Sequence, residues 1–70
     1  MDYYKTHAIR YLLADENTKK ASWEHWRKCH AENIKSGRED LIIFSARIIA
    51  NMALVDAGRA QDILTGGKTA

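Results

Sequence analysis

The residues best suited to chemistry stand together in "HWRKCH", residues 25–30. His25 and Cys29 are four apart, so on a helix they share a face and offer an imidazole nitrogen and a thiolate. Two such groups are half of a zinc site, which takes four ligands, or three and a water. His7 and Glu32 would have to supply the rest from other parts of the fold. Paired Cys-x-x-Cys spacing and the Cys-x-x-Cys-His of haem attachment are both missing, because Cys29 is the single cysteine. A nucleophilic Cys29–His25 pair would need a cleft, an oxyanion site and an orienting group. Seventy residues without those features point to a surface histidine beside a quiet thiol. The expectation is therefore no metal, no cofactor and no catalysis.

The elements that carry these residues must fit in one small domain. Seventy residues bury only about 60% of their unfolded surface, so the core is marginal and a partner subunit is a natural supplement. A lone cysteine forms no internal disulfide and suits a reducing cytoplasm. "MDYYKTHAIR" lacks the apolar core of a signal peptide. Residues 41–55 are shorter than the roughly 18–20 residues of a membrane span and carry Arg47 at the middle. The expected location is cytoplasmic.

Proline is absent, and glycine occurs only at 37, 58, 66 and 67. Ala, Leu, Ile, Lys, Arg and Glu dominate without strand-like alternation, which predicts an all-α fold. Three helices are expected, over about 2–15, 18–36 and 38–65, with 1–66 as one helical domain and 67–70 as a tail. Asp2 suits the cap of the first helix, and Asn17 or Thr18 that of the second, with Ser22 as a rival. Gly37 after Ser36 suits a left-handed helix end. The third helix is expected to run on through Gly58, about 40 Å long.

"LIIFSARIIANMALV", residues 41–55, has twelve apolar residues in fifteen and so reads as a helix with neighbours on several sides. Leu41, Ile48, Ile49, Met52 and Val55 make a bulky face for the first two helices. Ala46, Ala50, Ala53, Ala57 and Ala60 recur at 4-3-4-3 spacing, with Ile43 and Leu64 extending the series. Small residues on a 3.5-residue repeat let another backbone approach along the whole helix. A second copy of the same helix is the partner long enough to match, so a helical-bundle homodimer or tetramer is expected. The first helix, roughly 20 Å long, would cover about half the seam.

Two further surfaces invite partners. Tyr3, Tyr4, Trp23, Trp26 and Arg27 have the composition of an interface hot spot, although Tyr4, Trp23 and Trp26 also fall on apolar stripes and Tyr3 flanks one. "SWEHWRKCH" mixes aromatic and basic residues, as nucleic-acid binders do, and a small helical DNA-binding regulator is the alternative reading. Charge argues against it. The net +2 is spread as seven basic and five acidic groups in 1–36 and four of each in 37–70. The helix after "KSGRED", where a helix-turn-helix would place its reading surface, is the most apolar in the chain.

The size, the lack of proline and cysteine pairs, and "LIIFSARIIANMALVDAGRAQDIL" resemble small helical accessory proteins of bacteriophages and prophages. Short helical antirepressors are the most similar in build. That resemblance implies a cofactor-free inhibitor that assembles as a bundle and binds another protein stoichiometrically.

Overall fold

The structure, a computed structural model, describes residues 2–65. It is all-helical, with no strand among the described residues: α1 spans Tyr3–Leu13, α2 Glu16–Ser36, α3 Glu39–Asp56 and α4 Ala60–Leu64. The expected tail, 67–70, lies outside these residues.

Each junction follows from local chemistry. Asp2 caps α1 by accepting from the Tyr4 backbone N–H at 2.9 Å. Asp15 caps α2, accepting from Thr18 N–H at 2.7 Å. The second helix thus starts two residues before 18. Asn17 and Thr18 fall inside its first turn because an acceptor three residues before Thr18 satisfies the orphan N–H first. Gly37, at φ 71°, closes α2, its N–H bonded to the carbonyls of Asn33 and Ile34.

The continuous third helix over 38–65 is not what forms. It ends at Asp56, and α4 is a separate turn, so four helices replace three. Gly58 adopts φ 76°, a left-handed conformation that glycine enters without a Cβ penalty. Its N–H bonds the Val55 carbonyl at 3.0 Å, and Arg59 N–H bonds that of Leu54 at 2.8 Å. This Schellman pair satisfies carbonyls that a helix end would leave open. The turn also brings Ile63 back into the core and packs Ala60 against it, burial that a straight helix would forgo.

α3 is the central element. Contacts of Tyr4 with Phe44 and of Tyr11 with Asp56 lay α1 alongside it in the same direction. Those of Asn33 with Leu41 and of Trp23 with Asp56 lay α2 against it in the opposite one. The core is small: Ala8, Tyr11, Ile48, Met52, Val55 and Ile63, with Tyr4, Trp23, Trp26, Phe44, Ile49 and Leu54 packed around it. No residue of α2 is fully buried.

Candidate interaction surface

α3 turns two unlike faces to its surroundings. Ile48 and Met52 are 0% exposed and Val55 6%. Ile43, Ala46, Ala50, Ala53 and Ala57 all face outward, and Ile43 is 58% exposed. Ala60 and Leu64 lie beyond the Gly58 turn, on α4. Ala60 is half-buried against the core and Leu64 is 44% exposed. The seven seam residues therefore do not form one straight line. Their straight part runs from Ile43 to Ala57.

Two exposed charged residues flank this outward face, and each is engaged by an aromatic partner. Arg47 and Asp56 are the ionisable residues of α3 between Ile43 and Ala57. The Arg47 guanidinium sits over the Tyr4 ring, 3.9 Å from its centroid, on the α1 side. Such a cation–π contact is worth about 0.5–1 kcal/mol at an exposed site. The Asp56 carboxylate accepts from Tyr11 Oη at 2.8 Å through Oδ1 and from Trp23 Nε1 at 2.9 Å through Oδ2. Trp23 Nε1 is also 2.8 Å from Tyr11 Oη. What remains on the outside is a methyl ridge headed by an isoleucine.

The five aromatic and basic partner candidates divide into two groups. Tyr3, Tyr4 and Trp26 gather on Phe44, with ring centroids 5.4, 5.8 and 5.8 Å from it. Of these, Tyr3 is 52% exposed and the others are half-buried. Trp23 belongs instead to the Tyr11–Asp56 clasp, and the exposed Arg27 lies over its ring at 5.2 Å. A shallow depression of about 430 Å³ opens beside this clasp, lined by Glu16, Lys19, Lys20, Trp23 and Asp56 among others.

The residues of "HWRKCH" do not converge. His25 Nε2 and Cys29 Sγ are 3.9 Å apart on α2, and His25 stands edge-on to Trp26. Among the described residues, no group of three His, Cys, Asp or Glu side chains is placed to hold a metal. His30 turns inward, its Nδ1 2.6 Å from Ser45 Oγ. Ser45 is 0% exposed, also meets Asn33 Nδ2 at 3.2 Å, and donates toward the Leu41 carbonyl at 3.0 Å. Ser45 is sealed and His30 half-buried, and the contact is a polar pin between α2 and α3. Ser45 has a sequence signal: it precedes Ile48 by three and Met52 by seven, on the inward face. No described helix is long and apolar enough to cross a membrane.

Two titrations report on these contacts. Burial, then the hydrogen bond it donates to Asp56, pushes the Tyr11 phenol from 10.0 up to about 12. The unfolded phenol ionises first, so this contribution to stability is complete below pH 10 and is lost as pH rises to about 12. A near-ultraviolet absorbance titration should show a tyrosinate phase near pH 12 that Tyr11→Phe removes. An unchanged curve in that variant would refute the clasp.

His7 behaves in the opposite sense. Its ring stands edge-on to Trp26 at 5.6 Å, and its buried Nδ1 has no hydrogen-bond partner. Burial, and then the Arg10 charge, hold its pKa below the usual 6.5. The unfolded chain takes up this proton first, so stability falls as pH drops below 6.5. Denaturation midpoints measured down a pH series should fall more steeply for the wild type than for His7→Gln. Parallel slopes would contradict the burial of this imidazole.

No family model, curated protein or solved structure matches the chain.

Proposed function

We propose that this chain is a non-catalytic protein-interaction module that pairs with itself through the outer face of α3 and presents α1 and α2 to another protein. One observation carries the reading: the outward face from Ile43 to Ala57 is a methyl ridge, and the two charged side chains of that stretch, both exposed, are engaged by aromatic residues of the same protomer. Solvated helix faces usually carry ions, and apolar faces without them are interfaces. Covering a few hundred Å² per copy, at about 25 cal/mol/Å², adds several kcal/mol. That is comparable to the whole stability of a small domain, about 5–15 kcal/mol.

The partner-facing residues form two groups: Tyr3 with the half-buried Tyr4 and Trp26, and Arg27 over the half-buried Trp23. Two linked copies would engage a two-fold symmetric target with avidity. The resemblance in build to phage antirepressors gives the concrete version, a cofactor-free regulator that disables another protein by binding it.

The test is affinity capture from the native host, with the wild type beside Tyr3→Ala and Arg27→Ala. A protein held in fixed stoichiometry by the wild type and lost from these exposed-site variants supports the reading. Capture of nucleic acid alone, lost as salt is raised, would replace it with DNA binding.

A further inference from the structure

We infer that residues 3–8, the first half of α1, are an acid-released arm: when His7 takes up a proton they leave Trp26 and Phe44, while α2 and α3 stay packed and Tyr11 serves as the hinge. This stands apart from self-pairing and holds for the single protomer.

The geometry of one ring carries it. His7 is half-buried, and its Nδ1 is buried without a hydrogen-bond partner. A neutral imidazole fits there with its proton on Nε2 and Nδ1 as a bare acceptor. An imidazolium carries N–H on both nitrogens, so one charged donor would be buried and unpaired. Turning the ring out to water satisfies it but breaks the edge-on contact with Trp26, whose centroid is 5.6 Å away.

The surroundings offer no countercharge. On α1, Arg10 opposes a second positive charge, and the Asp2 carboxylate is taken up in capping Tyr4 N–H. α2 meets His7 with the Trp26 ring, on which His25 also stands edge-on. α3 faces the cluster with Phe44 and with Arg47 over Tyr4. α4 also packs on α1, and its acid, Asp62, is ion-paired with Arg59.

The release is local because the ties are uneven. Tyr3 and Tyr4 on Phe44, His7 on Trp26 and the buried Ala8 hold the first half of α1 by packing. Among the described residues, the side-chain hydrogen bonds from α1 to other helices all come from Tyr11, to Asp56 and Trp23. α2 and α3 are joined by His30 to Ser45, Asn33 to the Leu41 carbonyl, and Trp23 to Asp56. Local opening starts where such ties are fewest.

Amide hydrogen exchange of the full chain, from about pH 8 to about pH 5 and corrected for the intrinsic rate, tests this. Opening at residues 6–8 should rise about ten-fold for each pH unit below 6.5, until the lower folded pKa is reached. The amides of residues 48–52 in α3 should keep their protection over that range. His7→Phe and His7→Gln should each abolish the rise, and His25→Gln, at an exposed site, should keep it. In the wild type, which needs no variant to fold, the His7 imidazole resonance should titrate below 6.5, where the rise levels off. Equal loss of protection in α1 and α3, a rise that survives both His7 variants, or a His7 ring that titrates at 6.5 or above would overturn the inference.

Discussion

Replacing Ala50 by glutamate should abolish the proposed self-association and leave a folded monomer. Ala50 is exposed in the middle of α3, so the single protomer loses no buried contact. Glutamate is a good helix former, and the intrinsic cost is a few tenths of a kcal/mol. In the proposed pair each carboxylate would be buried unpaired against the facing ridge, which costs several kcal/mol. Even about 3 kcal/mol weakens association by more than a hundred-fold. Sedimentation should show one-copy mass at concentrations where the wild type pairs, with the helical circular dichroism unchanged. Wild-type association by Ala50→Glu would remove the ridge from the interface.

Ile48→Ala should have the opposite signature: severe loss of stability with no direct effect on the ridge. Ile48 is 0% exposed and lies on the inward face of α3, one turn before Met52. Truncating a buried isoleucine to alanine costs about 2–5 kcal/mol, because the transfer energy is lost and a cavity remains. With six buried apolar side chains in the core, little can move in to fill that space. In a domain of this size each kcal/mol lowers Tm by about 4–8 °C, so a fall of about 10 °C or more is expected. Ile43→Ala, at a site 58% exposed, should change the unfolding of the isolated protomer by less than about 1 kcal/mol. Thermal and urea denaturation at fixed protein concentration measures both. Similar losses for the two variants would mean that the inner and outer faces of α3 have been confused.

The two-faced character of α3 was legible in the sequence because it is periodic. Bulky residues at 48, 52 and 55 and alanines at 46, 50 and 53 fall on opposite sides of any helix through them. The caps Asp2 and Gly37 were legible because each acts on its own neighbours. Gly58 shows the limit of that logic. The alanine spacing runs through it without a break, so periodicity argues for one helix, while the Schellman bonds and the inward turn of Ile63 favour a stop. The second of those gains depends on where the core lies, which spacing alone does not show.

The polar contacts were hidden for a related reason. Tyr11 and Asp56 are 45 positions apart, and His30 and Ser45 are 15 apart. On separate helical wheels Tyr11 and Trp23 read as plain apolar-stripe residues, yet their polar tips meet on one carboxylate. That encounter leaves Trp23 half-buried, whereas Tyr3 and Arg27 stay exposed.

Sedimentation equilibrium of the wild-type chain, from low micromolar to sub-millimolar concentration, decides most directly whether the ridge is an interface. The expected result is a reversible rise in mass from one copy to two at constant helicity, with a denaturation midpoint that climbs with protein concentration. A well-folded one-copy species throughout, with a midpoint independent of concentration, would contradict it.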